Sequence, residues 1–197
     1  MEALALAMAK AIDGPGPDAR ASAIAAARAG DRAAFETLMR QYERLVLVTA
    51  LRLTGKLEDA QDVSQEVFLR LYRNLAKVER ESNLQAWLYR VTVNACHDLA
   101  RKRKPSVAME DAPDLVSTGS DPQQSIAGAE RQRALRLSLR ALSEKERAAL
   151  VLRDLEGLST EEVARALGSS EATVRSQISK ARVKMRDFVE RYFRRRI

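Results

Sequence analysis

Hydrogen-bond donors recur at helical spacing near the end of the chain, in the stretch TEEVARALGSSEATVRSQISKAR at residues 160–182. Gly168 permits the left-handed backbone that ends a helix sharply, and Ser170 is a favourable N-cap for a second helix. Val174 and Ile178 lie on one side of that second helix and are expected to face the protein. The donors on its other sides are Thr173, Arg175, Ser176, Ser179, Lys180 and Arg182.

Two helices joined by a short corner are typical of a helix-turn-helix, whose second helix fits the DNA major groove. Arginine and serine donate hydrogen bonds to base edges, whereas lysines on the flank of the helix position it on phosphates. We expect Lys184 and Arg186, further along the same helix, to meet phosphates as well. The alternative is an ordinary helical hairpin with a solvated cationic face.

A second strip of candidate side chains lies upstream, on a predicted helix that runs into the cationic segment RKRK at residues 101–104. An aromatic ring, an amide and two guanidinium groups line up beside its apolar face. Such a strip suits single-stranded nucleic acid, because bases stack on the ring while the cations meet phosphates. The candidates here and in the preceding polar loop, KVERESN, are Lys77, Arg80, Ser82, Asn83, Trp87, Arg90, Asn94 and Arg101. The alternative is that the lone tryptophan fills the core.

Other chemistries have little support in the composition. The single cysteine, Cys96, adjoins the single histidine, His97, and two such neighbours do not make a zinc site. With no phosphate-binding glycine loop and no positioned carboxylate pair, we predict no metal, no cofactor and no catalytic site. One cysteine forms no disulfide within the chain and indicates a reducing, cytoplasmic location. The opening MEALALAMAK is too short for a membrane span, so we expect no membrane insertion.

Apolar residues recur at helical spacing and strand patterns are nearly absent, which predicts an all-α fold. We expect an N-terminal tail (1–24), a helical domain (25–104), a linker (105–130) and a helix-turn-helix domain (131–197). The linker holds five acids, three prolines and no lysine or arginine, so it is predicted to be flexible and acidic. The net charge of the whole chain is +7 although the linker is acidic, so the excess of lysine and arginine lies in the two helical domains. Basic domains favour nucleic acid as a partner.

Residue types that cap helices mark the predicted helix ends. Asp31 and Gly55 delimit the first helix, and Pro105 stops the third. Helices resume near Glu130. Two capping-box patterns then follow, Ser143 with Glu146 and Ser159 with Glu162.

Three segments together resemble the extracytoplasmic-function (ECF) group of bacterial sigma factors in the sigma-70 family. They are LEDAQDVSQEVFLRLYRNL (57–75), NLQAWLYRVTVNACHDLARKRK (83–104) and LSEKERAALVLRDLEGLSTEEVARALGSSEATVRSQISKARVKMRDF (142–188). The resemblance implies a subunit that directs core RNA polymerase to promoter DNA and is not an enzyme. The third helix would capture the melted −10 strand, the helix-turn-helix would bind the −35 duplex, and the second helix would dock on the polymerase. The implied docking residues are Asp59, Asp62, Gln65, Glu66 and Leu69.

The resemblance also implies an anti-sigma protein as a partner and a monomer when the chain is free. Gln61 stands where the family usually has an acid, so one docking charge is missing. Gln177 and Ser179 occupy positions that are often basic or bulky, which leaves the −35 sequence open. Two other functions are alternatives to this one: a regulator that binds only duplex DNA, usually as a dimer, and a site-specific recombinase. The sequence offers no receiver or ligand domain for the first, and no nucleophile with clustered arginines for the second.

Overall fold

The computed structural model describes residues 17–75, 81–102 and 122–194. The regular structure in these ranges is helical throughout, which confirms the all-α prediction. A π-helical turn, Val151–Leu155, continues the sixth helix. The α-helices are α1 (Pro17–Arg28), α2 (Arg32–Thr54), α3 (Leu57–Asn74), α4 (Glu81–Lys102), α5 (Pro122–Arg140), α6 (Glu144–Leu150), α7 (Thr160–Leu167) and α8 (Glu171–Arg194).

Local capping interactions set the helix ends where the sequence predicts them. The Asp31 carboxylate accepts hydrogen bonds from the backbone N–H groups of Ala33 and Ala34, at 2.8 and 3.2 Å, at the start of α2. Gly55 ends α2 in the left-handed conformation, with φ of 75°. Both predicted capping boxes are formed, one at the start of α6 and one at the start of α7.

Helices α1–α4 form the N-terminal domain, in which α2 packs against the other three. The apolar stripe predicted for α3 is buried and includes Val63, Val67 and Leu71. Helix α1 begins at Pro17 and buries Ile24 in the same core. The domain therefore starts earlier than residue 25, because the alanine-rich segment before it forms a helix that covers α2.

Helices α5–α8 form the C-terminal domain, in which α8 packs against α5, α6 and α7. Helix α5 begins at Pro122, earlier than the predicted resumption near Glu130, so the end of the predicted linker is helical. Proline is well suited to the first turn of a helix, where its missing N–H donor is not needed. The linker prediction for residues 103–121 lies outside the described ranges.

A buried carboxylate joins the two domains. Glu156, directly after the π-helical turn, accepts hydrogen bonds from the Thr49 hydroxyl at 2.9 Å, the Arg52 guanidinium at 2.7 Å and the Tyr89 hydroxyl at 3.2 Å. Only 16% of the Arg52 side chain and 11% of the Glu156 side chain are exposed. Burial, and the charge of Glu156, raise the pKa of Tyr89 far above its ordinary value, so its hydroxyl remains a donor.

Two arginines of the C-terminal domain bind the end of α2. Arg147 donates to the Leu53 carbonyl at 2.6 Å, and Arg140 donates to the Gly55 carbonyl. The last carbonyls of a helix have no partner within it, and cations there also interact favourably with the helix dipole. The C-terminal domain thus satisfies backbone groups that α2 alone would leave open, and the buried side chains of both domains form one cluster.

We expect Glu156→Ala to lower the free energy of unfolding by about 3 kcal/mol, because it leaves the buried Arg52 guanidinium without its carboxylate. Urea denaturation followed by circular dichroism would measure the change. Glu43→Ala, at an exposed position of α2, is the control and should stay within about 0.5 kcal/mol. Equal values for the two variants would show that the carboxylate does not stabilise the domain contact.

Candidate nucleic-acid interface

Helices α7 and α8 form the predicted helix-turn-helix. Gly168 ends α7 with φ of 59° and ψ of 40°, the left-handed conformation expected from the sequence. The backbone N–H of Thr173 donates to the Ser170 hydroxyl at 3.2 Å, so the predicted N-cap of α8 is formed. Val174 and Ile178 are buried, and α8 therefore presents one apolar face to the protein.

The predicted DNA-contacting residues occupy the opposite side of α8. Thr173, Arg175 and Ser176 in its first turns are exposed, and so are Ser179, Lys180 and Arg182. Part of this surface is the wall of a groove of about 430 Å³. The groove is lined by Arg153, Thr160, Arg175, Ile178, Ser179, Arg182, Val183 and Arg186.

Sequence reasoning missed two polar residues of this groove, Arg153 and Thr160. Arg153 belongs to the π-helical turn and donates to the Leu158 carbonyl at 3.0 Å, and Thr160 is the first residue of α7. Neither belongs to the helix whose periodicity identified the site. A search for donors along one helix does not find residues that a neighbouring element contributes to the same groove.

Three cations of α8 bind carboxylates of the C-terminal domain. Arg175 pairs with Glu171 on its own helix at 2.6 Å. Arg182 donates to the carboxylate of Asp154 from Nε at 2.9 Å and from Nη2 at 2.7 Å. The hydrogen bonds that Arg182 donates to this carboxylate raise the pKa of Arg182, which keeps the guanidinium charged.

Lys184 binds a carboxylate within the C-terminal domain. Its ammonium group donates to both carboxylate oxygens of Glu146, at 2.8 and 2.9 Å, and so binds the capping box of α6. The Glu146 side chain is 9% exposed. Lys184, whose side chain is 53% exposed, therefore ties α8 to α6, and its expected contact with a phosphate stays a prediction.

The upstream strip lies on α4, with Arg90, Asn94 and Arg101 exposed. Trp87 is half-buried and packs against the core, which agrees in part with the core alternative, and its contact with a base stays a prediction. Asp98 adds a carboxylate beside the strip. It pairs with Arg101 of the strip and, at 3.7 Å, with Arg70 of α3.

The polar loop predicted before this helix is shorter than expected. Helix α4 begins at Glu81, so Ser82 and Asn83 belong to its first turn, and their side chains lie outside the described part of the structure. Lys77 and Arg80 also lie outside the described residues. The expected contact of this loop with single-stranded nucleic acid therefore stays a prediction.

The implied docking residues divide between two environments on α3. Asp62, Gln65 and Leu69 are exposed, Leu69 to 51%. Glu66 lies beside them and pairs with Arg70 at 2.7 Å. Asp59 is 6% exposed and lines a cavity between the domains, so it lies apart from this exposed surface.

A further exposed residue on the same side of α3 is Tyr72, at 68% exposure. Its ring contacts the edge of Phe35 with centroids 5.1 Å apart. Leu69 and Tyr72 are three residues apart and adjacent on a helix, so together they form an exposed apolar patch next to Gln65 and Glu66. The pattern of apolar residues predicted a buried stripe on α3 but gave no reason to expect an aromatic ring outside it.

Cys96 is a core residue with a free thiol. Burial raises the pKa of its thiol to about 12, so it stays protonated at neutral pH. A cavity of about 230 Å³ between the domains adjoins it, with Leu53, His97 and Arg147 in the wall. Among the described residues no cluster of histidine, cysteine, aspartate and glutamate could hold a metal ion.

Two protein-family models match the chain, sigma-70 region 2 at residues 38–105 and sigma-70 region 4 at residues 132–185. The RNA polymerase sigma-H factor of Pseudomonas aeruginosa is 34% identical over 163 residues, which cover 78% of this chain and 84% of that protein. This chain belongs to the ECF sigma factors of the sigma-70 family. Region 2 corresponds to α2–α4, and region 4 corresponds to the domain that carries the helix-turn-helix.

Other sigma factors give the same result. ECF sigma factor SigE of Mycolicibacterium smegmatis is 34% identical over 83% of this chain, which spans 65% of that relative, just under two thirds. The solved structure of CnrH in complex with the cytosolic domain of CnrY has a TM-score of 0.64 and 26% identity, over 87% of this chain and 97% of CnrH. RpoE of Bartonella quintana, solved with the anti-sigma factor NepR, shares the fold at 23% sequence identity. The TM-score is 0.61, and the match covers 79% of this chain and 96% of that one.

Of the helices described for this sigma factor, none is both long and apolar enough to span a lipid bilayer.

The hydrogen-bonded cation of Lys184, and the Ser143 cap, lower the pKa of Glu146 below its ordinary value of 4.5 despite the opposing effect of burial. A carboxyl whose pKa is lowered by folding stabilises the folded state above its unfolded pKa. That contribution is lost as the pH falls through the folded-state pKa.

We therefore expect Glu146→Gln to cost about 1 kcal/mol of unfolding free energy at pH 7 and progressively less below about pH 4.5. Urea denaturation of both proteins at pH 7 and at about pH 3 would measure the difference. Glu161→Gln, an exposed control in α7, should change stability by less than about 0.5 kcal/mol at either pH. A cost that does not depend on pH would contradict a role for the charge of Glu146.

Proposed function

We propose that this ECF sigma factor directs core RNA polymerase to promoters through three separate surfaces, on α8, α4 and α3. The proposal rests above all on the placement of donors on α8, whose apolar face is buried while its opposite side lines a cationic groove. In this proposal α8 binds the −35 duplex, α4 captures the melted −10 strand and α3 docks on the polymerase. The chain itself carries out no chemistry, and it works in the cytoplasm, where the polymerase transfers the nucleotides.

The −35 surface is the groove with its exposed donors. An α-helix fits the major groove, and Arg175, Ser179 and Arg182 are placed to donate to base edges. Lys180 and Arg186 lie at its flank and margin and would bind phosphates, which positions the helix without selecting a sequence. Phosphate binding of this kind weakens as salt concentration rises.

The −10 surface is the exposed strip on α4. Arg90 and Asn94 are exposed beside the half-buried Trp87, and a single strand could place a base against the ring edge while the guanidinium meets a phosphate. Unstacking the bases of duplex DNA costs free energy. Binding of the splayed bases offsets that cost and so favours melting.

The polymerase-docking surface is the exposed side of α3. It combines the apolar patch of Leu69 and Tyr72 with the carboxylates of Asp62 and Glu66 and the amide of Gln65. Exposed aromatic residues are over-represented among those that dominate binding energy at protein interfaces. A partner with a basic rim and an apolar centre would match this surface, and core RNA polymerase is the partner that the family implies.

A fourth partner is an anti-sigma protein. CnrH and RpoE share this fold; CnrH was solved with the cytosolic domain of CnrY, and RpoE with the anti-sigma factor NepR. We infer that this chain is likewise bound by an anti-sigma protein and released from it as a monomer. The docking surface on α3 and the groove on α8 are the surfaces whose coverage would block function.

Run-off transcription from genomic promoter fragments with bacterial core polymerase tests the division of labour. We expect Asp62→Ala and Leu69→Ser to weaken binding to core polymerase about tenfold. Arg175→Ala should reduce promoter-specific transcripts about tenfold while core binding is retained, because a base contact is lost and the docking surface is untouched. Fluorescence anisotropy would measure core binding, and transcript yield would measure promoter recognition.

Glu43→Ala is the matched surface control and should leave both readouts unchanged. If the α3 and α8 variants lost the same property, the separation of docking from promoter recognition would be wrong. If the protein bound duplex DNA specifically without polymerase and gave no transcripts, it would be a duplex-only regulator.

We expect Arg90→Ala to slow formation of the open complex about fivefold, the effect of losing one charge-assisted contact of roughly 1 kcal/mol. Permanganate reactivity of thymines near the start site would measure melting, and a gel shift at low temperature would measure initial duplex binding. Duplex binding should be unchanged, because Arg90 lies on a different helix from the groove. Arg44→Ala, an exposed arginine of α2, is the control. Equal loss of melting and of initial binding would contradict a strand-capture role.

A further inference from the structure

A carboxylate holds one edge of the Arg182 guanidinium. Asp154 accepts hydrogen bonds from Nε at 2.9 Å and from Nη2 at 2.7 Å, so the two groups are paired in the bidentate fork geometry. The Arg182 side chain is 59% exposed and the Asp154 side chain is 28% exposed. Because Nε and one side of Nη2 are occupied, the edge formed by Nη1 and the rest of Nη2 is left to contact a ligand.

Asp154 does not line the groove itself, although it fixes a residue that does. Its position is unfavourable for DNA affinity taken alone, since a carboxylate close to a phosphate backbone repels it. A residue that served only to strengthen DNA binding would not carry this charge. A bidentate partner instead restricts the rotamers of a long side chain, and an arginine held in one orientation loses less entropy when it binds.

The other two acidic partners of α8 lie in different places. Glu171 is on α8 itself, four residues before Arg175, which is an ordinary pair along one helix. Glu146 holds Lys184, and neither residue lines the groove. Among these three acids, only Asp154 links a groove-lining cation of α8 to a separate element, the π-helical turn.

We propose that Asp154 is a positioning residue for base recognition, holding Arg182 so that its free edge meets the acceptor atoms of one base. The proposal rests on the function proposed above, in which α8 enters the major groove. The free edge presents two parallel N–H donors, the arrangement that matches O6 and N7 of guanine. Asp154 therefore contributes to sequence selection, while its own charge opposes affinity for DNA in general.

The carboxylate that holds Arg182 belongs to the π-helical turn. The backbone N–H of Glu156 donates to the Val151 carbonyl at 2.9 Å, a bond between residues five apart. Turns of this kind widen a helix locally and are frequent at functional sites. In this one, Asp154 faces α8 while Glu156, two residues on, faces α2 and α4.

The test is selection from a duplex library with a randomised upstream segment, using holoenzyme reconstituted from the full chain and bacterial core polymerase. We expect wild-type protein to enrich guanine at one position. Asp154→Asn, which keeps the shape but removes the charge and one acceptor, should reduce that enrichment about tenfold. Binding to poly(dI-dC), the probe of non-specific affinity, should stay equal or become up to about threefold tighter, because a repulsive charge is gone.

Three further variants make the result specific. Arg182→Ala should lose the same guanine preference, and adding Asp154→Asn to it should change nothing more, because both residues act through one contact. Asp154→Glu keeps the charge but moves the fork, so preference should fall even if stability does not. Glu146→Gln releases another cation of α8 and should leave base preference unchanged.

The outcomes separate this proposal from the one it rests on. If Asp154→Asn tightened binding to every sequence without loss of guanine preference, the carboxylate would only mask Arg182 and the proposal would be wrong. Parallel loss of specific and non-specific binding with a lower melting temperature would assign Asp154 a structural role alone, which also overturns it. If Arg175→Ala changed base preference while Arg182→Ala did not, the helix would bind DNA but this inference would fail. If no variant and no wild type selected any sequence, the proposed −35 function itself would fall.

Discussion

The arrangement of this sigma factor depends on one buried carboxylate, that of Glu156. It accepts hydrogen bonds from two side chains of α2 and one of α4, so a single residue of the C-terminal domain engages two helices of the other domain. Removing two charges from water is costly, and such a pair adds little net stability compared with apolar packing. We infer that Glu156 instead selects one relative orientation of the two domains. Its charge is satisfied in only one geometry, which disfavours other ways in which the two apolar surfaces could pack.

The surfaces proposed for function occupy helix faces that the core does not use. Helix α4 shows this most clearly, since Leu88 and Val93 are buried, Tyr89 faces the C-terminal domain, and Arg90 and Asn94 remain in solvent. An α-helix turns about 100° per residue, so adjacent residues necessarily serve different partners. The packing that stabilises each helix therefore also aims its exposed side chains, and rigid elements hold the candidate sites.

Much of the fold was predictable because its signals are local. Asp31, Gly55, Gly168 and the Ser143 and Ser159 capping boxes each act within four residues, and each gives the helix end expected. The exposed donors of α8 followed from the same periodicity. The burial of Asp59, the pairing of Lys184 with Glu146 and the place of Arg153 in the groove depend on residues distant in sequence or on another element, which a helical pattern does not specify. The π-helical turn also escaped prediction, because VLRDL is as compatible with an α-helix.

That wide turn amounts to one residue more than α-helical spacing would use over the same length. Every side chain beyond it is rotated by about 100° relative to a helix without it. A deletion of a single codon in this segment would thus turn Asp154 and Glu156 away from their partners together, and with them the seating of the helix-turn-helix on the rest of the protein. A change in length is therefore the mutation that this segment is expected to tolerate least.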